Sequence, residues 1–326
     1  MNYSAPWWLP GGHLQTMYPA VRFLKPVPVY RRERWDTPDG DFIDVDFIDG
    51  EAGKPFIVML HGLEGSSRSH YALAMMAHAQ SLGWSGAVPH FRGCSGEMNR
   101  APRFYHSGDS AEIDWILRRM AATPHAIASS NLYATGVSLG GNALLRWLGE
   151  PKWQTGFVDA ACAISAPLNL TGSGTSLARG LNRIYTMTFL RTMKAKSLKK
   201  LEQYPGLFDR GVMLRAKTLH DFDDVVTAPL HGYRDAEDYW HRASACHVLD
   251  DIRVPTLVLN ARNDPFLPQR YLPPRTIGKA TLEHPAHGGH GGFALGPFPG
   301  KPGWLPRRIV HFLESASASE AVALSA

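Results

Sequence analysis

The stretch that decides the fold is "YATGVSLGGNAL", residues 133–144. A strand-like run ends at Ser138 and a helical pattern follows it directly, which predicts a strand that turns sharply into a helix. Ser138 stands between Gly136 and Gly140 in the spacing G-x-S-x-G. Side chains at the glycine positions would collide with so tight a turn, and the turn exposes the serine hydroxyl at its apex. We therefore predict that Ser138 is a nucleophile; the alternative is a glycine-rich helix N-terminus that binds an anion.

Apolar runs and helical patterns alternate along most of the chain. The runs that predict buried strands are "PFIVMLHG", "SGAVPHFRG", "NLYATGVS", "VDAACAISAP", "PTLVLNARNDP" and "ATLEHPAHGG". Helical patterns lie near residues 69–82, 107–121 and 304–315. This alternation is typical of βα units, so we predict an α/β fold with a mainly parallel central sheet flanked by helices.

Residues 170–245 interrupt this alternation. They carry helical periodicity without a clear strand pattern, and we predict a mostly helical cap inserted after the strand that follows the nucleophile helix. The core then comprises residues 1–169 and 246–315, and the low-complexity tail 316–326 is expected to be disordered. A cap at this point lies above the carboxyl edge of the sheet, where open α/β sheets bind ligands. Its apolar residues either only pack onto the core or also line an acyl-binding pocket.

The composition excludes several classes of protein. With 44% hydrophobic and 19% charged residues in 326, the chain has enough apolar side chains for a sizeable core. Its three cysteines, Cys94, Cys162 and Cys246, are widely spaced, which argues against a disulfide framework or a zinc site and favours a reducing compartment. There is no signal-peptide pattern and no run of about 18 apolar residues. We therefore expect a cytoplasmic protein without stable membrane insertion.

The densest basic run is "RTMKAKSLKK", residues 191–200. Charge runs of this kind usually form the solvated face of a helix, and that is our prediction here. A docking patch for anionic lipid or nucleic acid is the alternative. No interleaved aromatic residues and no nucleic-acid motif accompany the run, so a nucleic-acid partner is not expected.

A serine hydroxyl becomes a nucleophile when a base takes its proton and a third group orients that base. In "LNARNDPFLP", Asp264 directly follows a buried strand, where the orienting acid is expected. The tract "HPAHGGHGGF" follows the next strand and offers His284, His287 and His290 as bases. Short His-rich tracts also bind metal. This tract has no carboxylate or cysteine of its own to complete such a site, so neither a metal nor a cofactor is expected.

Two backbone amides are expected to stabilise the negative charge that develops on the substrate's carbonyl oxygen. One belongs to Leu139, the residue after the nucleophile. The other comes from the loop after "VMLHG", where Gly62 allows the backbone to turn and Leu63 is the candidate donor. His61, in the same loop, is expected to be a scaffold residue.

With these motifs the sequence resembles an α/β-hydrolase, and within that superfamily the YheT-like branch, which also includes eukaryotic membrane-anchored lipid hydrolases and yeast ethanol ester synthases. The similarity runs from "GGHLQTMYP" to "HGGHGGF" through "HGLEGSSRSHY", "HFRGCSGEMNRAPRFYHSGDS" and "FDDVVTAPLHGY". It implies Ser138, Asp264 and His290 as charge-relay residues, and hydrolysis of carboxylic esters or short-to-medium acylglycerols. Two departures are Trp240, where the branch usually has a second tyrosine, and the missing N-terminal membrane anchor.

The expected function is thus a serine hydrolase for small-molecule esters or lipid-like substrates, in which water resolves an acyl-enzyme. An alcohol acyltransferase would use the same residues with an alcohol as acceptor, and the sequence does not separate the two. A non-catalytic binding protein with this fold is disfavoured because the serine, aspartate and histidine are all present. Asp223 and Asp224 in "FDDVV" are rival acids, although an intra-cap salt bridge or turn suits their position better.

Overall fold

A computed structural model describes residues 2–22, 27–274 and 278–325, with side chains of the last segment described as far as residue 318. It contains one eight-stranded sheet, with strands β1 Arg31–Asp36, β2 Phe42–Ile48, β3 Phe56–Leu60, β4 Ser85–Pro89, β5 Leu132–Val137, β6 Ala160–Ile164, β7 Thr256–Leu259 and β8 Ala280–Glu283. Their order across the sheet is β1-β2-β4-β3-β5-β6-β7-β8. Only the β1–β2 and β2–β4 pairs are antiparallel. The predicted mainly parallel sheet is confirmed.

The helices of the described chain are α1 Gly11–Arg22, α2 His70–Ser81, α3 Ser110–Ala121, α4 Pro124–Ile127, α5 Leu139–Gly149, α6 Leu170–Leu177, α7 Arg183–Gln203, α8 Arg210–Arg215, α9 Leu219–Phe222, α10 Ala228–Leu230, α11 Ala236–Ala243 and α12 Trp304–Ser325. Single turns of 3₁₀ helix occur at Gly180–Asn182, Ala245–His247, Leu249–Asp251 and Gln269–Tyr271, and a π-helical turn at Asp223–Thr227.

The sheet is covered on both faces because successive side chains of a strand point to opposite sides. Val58 and Leu60 of β3 lie in a core with α3 and α5, whereas Ile57 and Met59 lie in a second core with α2 and α12. Every residue of β3 is buried. This explains why the central strands are continuous apolar runs rather than alternating ones.

The antiparallel edge of the sheet was not predicted from the sequence. Its strand β1 reads "RRERWD", and β2 reads "FIDVDFI" with both aspartates buried. In the register of the two strands Arg32 stands opposite Asp46 and Arg34 opposite Asp44, with N–O distances of 2.6 and 2.8 Å. Cross-strand ion pairs of this kind stabilise a sheet although charged residues weaken the strand pattern of each segment alone.

Residues 165–255, all of which are described, contain helices and loops but no strand. This segment joins β6 to β7 and includes α6 to α11, in the region where the sequence predicts a helical cap. At the other end, α12 extends to Ser325, and the disorder expected of the tail 316–326 stays a prediction. The alanines of this tail favour a helix when no glycine or proline interrupts them. No described helix combines the length and the apolar character that crossing a membrane requires.

The prediction of a solvated basic face on residues 191–200 is wrong for three of its five cations. Lys200 is fully buried and its ammonium donates to the carbonyl oxygen of Asn99 at 2.6 Å. Lys196 pairs with Glu64 at 2.8 Å, and Lys194 donates to carbonyl oxygens at the end of α8. These long side chains therefore tie α7 to the core and to the rest of the cap.

The predicted strand–turn–helix elbow is present between β5 and α5. Ser138 has φ 54° and ψ −123°, in the left-handed region that non-glycine residues rarely adopt. A Cβ on Gly136 would lie 2.5 Å from the carbonyl oxygen of Gly140, and one on Gly140 would lie 2.5 Å from that of His61. Glycine is therefore required on both sides of Ser138 by direct backbone contact.

We expect Gly136→Ala to lower the free energy of unfolding by about 1–3 kcal/mol, because the new methyl group must displace backbone. Gly156→Ala is the matched control, since a Cβ there meets nothing within 4 Å. Chemical denaturation of both variants measures the effect. Equal stability of the two variants would show that the elbow accommodates a side chain.

Candidate active site

The structure brings Asp264 and His290 together from loops that follow β7 and β8. The imidazole Nδ1 of His290 lies 2.8 Å from Oδ2 of Asp264. Asp264 is buried, and its other oxygen accepts from the backbone N–H of Phe266 at 2.8 Å. The Phe266 ring is stacked on the imidazole with centroids 4.0 Å apart. An ionised carboxylate only accepts, so this contact places the imidazole proton on Nδ1 and leaves Nε2 as the acceptor.

Ser138 and His290 line two cavities that meet at the elbow. One cavity, of about 100 Å³, extends under the cap and is called the inner cavity. The other, of about 440 Å³, lies between α1, the loop after β3 and α7 and is called the outer cavity. Leu63, Phe189 and Phe266 also border both cavities. A serine hydroxyl and a histidine thus stand at the junction of two compartments.

The inner cavity is mainly apolar and ends at cap residues. Asp223 lines it and accepts from Nε1 of Trp240 at 2.8 Å and from Oγ1 of Thr227 at 2.6 Å. Burial raises the pKa of Asp223 to about 6. Asp224 accepts from the backbone N–H of Ala236 at 3.1 Å. The two aspartates therefore accept hydrogen bonds within the cap and lie in its π-helical turn, which agrees with the expectation of an intra-cap salt bridge or turn.

The loop after β3 has one backbone amide without an acceptor among the described residues. The N–H of Gly62 donates to Oη of Tyr71 at 2.8 Å, and that of Glu64 donates to Oη of Tyr105 at 2.7 Å. Among the described residues no acceptor is found for the N–H of Leu63, which lies between them. The tyrosines thus fix the amides on either side and leave this one available.

The loop also lies directly against the elbow. A Cβ on Gly62 would be 3.1 Å from Cβ of Ser138. Leu139 begins α5, so its N–H belongs to the first helical turn, whose amides have no intrahelical acceptor. Leu63 and Leu139, the two predicted donors, therefore border the same cavity as Ser138.

His61 has the scaffold role that the sequence suggested. The ring is buried, and its Nε2 accepts from the backbone N–H of Phe91 at 3.0 Å while Nδ1 lies 2.8 Å from the carbonyl oxygen of Gly62. Burial lowers its pKa to about 3. A neutral ring in this place links the loop after β3 to the loop after β4.

The three histidines of "HPAHGGHGGF" have different surroundings. His284 has its ring nitrogens near the carbonyl oxygens of Asn260, at 3.3 Å, and Pro273, at 3.1 Å. His287 is exposed in the loop. Only His290 contacts Asp264. The three rings therefore do not converge on one point.

Helix α1 holds the loops that carry Asp264 and His290, a role that sequence analysis missed. Oε1 of Gln15 accepts from the backbone N–H of Gly288 at 2.9 Å and from Nδ2 of Asn263 at 2.8 Å. Oγ1 of Thr16 accepts from the backbone N–H of His290 at 2.9 Å. One glutamine thus connects the residue before Asp264 with the loop that carries the histidine.

The contact between α1 and these loops is made at backbone distance. A Cβ on Gly12 would lie 1.9 Å from the carbonyl oxygen of Asn263, and one on Gly292 would lie 1.9 Å from that of Gln15. The motif "GGHLQTMYP" could have indicated this role, because an isolated helix does not need its glycines and polar residues. Its partners are more than 240 residues away, so the motif alone could not reveal its role.

Comparisons with known proteins identify the family. The profile of the alpha/beta hydrolase fold matches residues 55–297. The chain therefore belongs to the α/β-hydrolase family.

Its relatives also confirm the resemblance to the YheT-like branch. Over 92% of this chain, it is 38% identical to the esterase YheT of Escherichia coli (strain K12), covering 89% of that protein. It is 30% identical to phospholipase ABHD3 of Mus musculus, over 92% of this chain and 75% of the mouse protein. A monoacylglycerol lipase of Saccharomyces cerevisiae is 28% identical over 73% of this chain and 53% of its own length.

Solved structures share the fold at lower identity. The esterase Pf2001 of Pyrococcus furiosus superposes with a TM-score of 0.54 at 16% identity, over 88% of this chain and 92% of that one. DcsB in complex with a substrate analogue gives a TM-score of 0.57 at 12% identity, over 89% and 100% of the two chains.

We expect Gln15→Leu to lower kcat for ester hydrolysis by about 10–100-fold with little change in KM, because the loop that carries His290 loses its anchor. Gln80→Leu, at an exposed position on α2, is the matched control. Steady-state kinetics and thermal melts of both variants separate loss of positioning from loss of folding. If kcat for Gln15→Leu equalled that of the control, α1 would not position the loop.

Proposed function

We propose that the protein is a serine carboxylic ester hydrolase in which Ser138 is the nucleophile, His290 the general base and Asp264 the residue that orients the base. The observation that carries this proposal is the 2.8 Å contact between His290 and Asp264 beside a cavity that Ser138 also lines. The strained backbone of Ser138, between β5 and α5, supports the same assignment because such strain occurs where a side chain must be presented to a ligand.

In the proposed reaction, Oγ of Ser138 attacks the ester carbonyl carbon while Nε2 of His290 takes the hydroxyl proton. Asp264 stabilises the imidazolium through Nδ1. The carbonyl oxygen becomes an oxyanion, which the amides of Leu63 and Leu139 stabilise. Collapse of the tetrahedral intermediate returns the proton to the leaving alcohol and leaves an acyl group on Ser138. Water then attacks the acyl-enzyme while Nε2 of His290 takes a proton from it. The proton returns to Oγ of Ser138 as the carboxylic acid leaves.

The two cavities support a division of the substrate at Ser138. The inner cavity is lined mainly by apolar side chains and has a volume of about 100 Å³, which suits a short-to-medium acyl chain. The outer cavity is larger and suits the alcohol part of the ester. The names of the relatives (esterase, phospholipase, monoacylglycerol lipase) support esters or acylglycerols as the substrate class.

A fluorophosphonate probe is expected to label the wild-type protein and to fail to label Ser138→Ala. Ser173→Ala is the matched control, because Ser173 lines the same cavity and its buried hydroxyl has no partner among the described residues. In-gel fluorescence after denaturation provides the measurement. Labelling of Ser138→Ala at the wild-type level, or its loss in Ser173→Ala alone, would contradict the assignment.

We expect His290→Ala to lower kcat for a nitrophenyl ester by about 10³-fold or more, because the nucleophile loses its base. His287→Ala should retain most of the activity, since that ring is exposed and does not contact Asp264. Parallel kinetics of the two variants provide the comparison. Equal losses would show that His290 is not the base.

A further inference from the structure

Helix α1 exposes a stripe of large apolar side chains. Leu14, Met17 and Val21 follow one another at spacings of three and four, so they lie on one face of the helix. Gln15 and Thr16, which contact the acid and base loops, are buried on the other face. The helix therefore turns its polar contacts inward and its apolar residues outward, the reverse of an ordinary surface helix.

A second stripe lies on the cap, at the start of α7. Leu181, Ile184 and Met187 are spaced by three residues and are also exposed. The six side chains of the two stripes are each 43–72% exposed. Single exposed apolar residues are ordinary, whereas a contiguous group marks a surface that meets a partner.

The two stripes flank the mouth of the outer cavity. Met17 and Val21 line it from α1, and Ile184 lines it from α7. The helices are in contact there, since Nδ1 of His13 lies 3.2 Å from Oη of Tyr185 and the two rings are stacked. Met17, Val21 and Ile184 therefore form an apolar border of the cavity that leads to Ser138, and the rest of each stripe continues from them along the chain.

The charge around this surface has one sign. Residues 1–32 and 160–201, which include both stripes, contain no aspartate or glutamate. Arg22 and Arg179 lie at the ends of the stripes, Arg183 lies between Leu181 and Ile184, and all three are exposed. The carboxylate of Glu64, which borders the outer cavity, is paired with Lys196.

We propose that the α1 and α7 stripes and their flanking arginines dock the protein peripherally on an anionic phospholipid bilayer. Apolar side chains enter the boundary between headgroups and acyl chains, and the arginines pair with phosphate groups. A second copy of the chain is a poorer occupant, because the same cations would then face each other. Docking would deliver lipid esters into the outer cavity, and this role rests on the proposed function. The docking itself does not depend on the proposed function.

The test uses Ser138→Ala, so that no lipid is consumed, and sedimentation with vesicles. We expect the protein to bind vesicles of phosphatidylcholine that contain phosphatidylglycerol and to bind pure phosphatidylcholine weakly. Adding Leu14→Glu or Met187→Glu should weaken binding by about fivefold or more, because each places a negative charge at an anionic surface and removes an apolar contact.

Ile127→Glu is the matched control. Ile127 is 74% exposed on α4, which precedes β5 and so lies at the opposite edge of the sheet from Ser138. The substitution changes the net charge equally and should leave vesicle binding unchanged. Equal losses of vesicle binding in all three variants would show that binding depends only on the net charge of the protein. That result, or no binding at all to the anionic vesicles, would overturn the proposal.

Two further measurements separate this proposal from its alternatives. Light scattering without lipid is expected to give a monomer, and a dimer that Met187→Glu dissociates would assign the surface to a second copy instead. With Ser138 intact, Met187→Glu should hydrolyse a water-soluble nitrophenyl ester at the wild-type rate. If the wild type hydrolysed no ester but bound vesicles as described, the proposed function would fail and the docking surface would stand.

Discussion

The close approach of backbone at the carboxyl edge of the sheet determines the geometry of the site. The backbone of Gly140 lies against the carbonyl oxygens of Leu60 and His61, and Gly62 lies against Ser138. These contacts hold the elbow and the loop after β3 at a separation that no side chain could enter. The pairing of β3 with β5 therefore fixes the backbone segments to which Leu63 and Leu139, the two proposed oxyanion donors, belong.

The same principle extends to the other half of the site through α1. The acid and base loops follow neighbouring strands, but loops of glycine-rich sequence have little intrinsic rigidity. The helix supplies the missing contacts with Gln15, Thr16 and a backbone surface on the loops. The outer face of the helix makes none of these contacts. One short helix can therefore position His290 with its inner face and border the outer cavity with its outer face.

The sequence was sufficient for features encoded by local pattern. The central strands, the elbow at Ser138 and the position of Asp264 after a strand follow from apolar runs and glycine spacing, whereas the choice of His290 among three histidines came from the family resemblance. The sequence was insufficient where the structure of a segment depends on partners outside that segment. The carbonyl that accepts from Lys200 lies 101 residues away along the chain, and the amide that donates to Gln15 lies 273 residues away. The ion pairs of β1 and β2 are closer in sequence, but they form only when the two strands pair. Local charge and polarity gave no sign of these partners.

The central claim is that catalysis proceeds through an acyl group on Ser138. Rapid quenching of the wild-type protein with a nitrophenyl ester, followed by peptide mass spectrometry, tests it most directly. We predict an acylated peptide that spans residues 133–144 and carries the acyl group on Ser138. It should form before the free acid accumulates. Turnover without an acylated peptide, or an acyl group on another residue, would contradict the account.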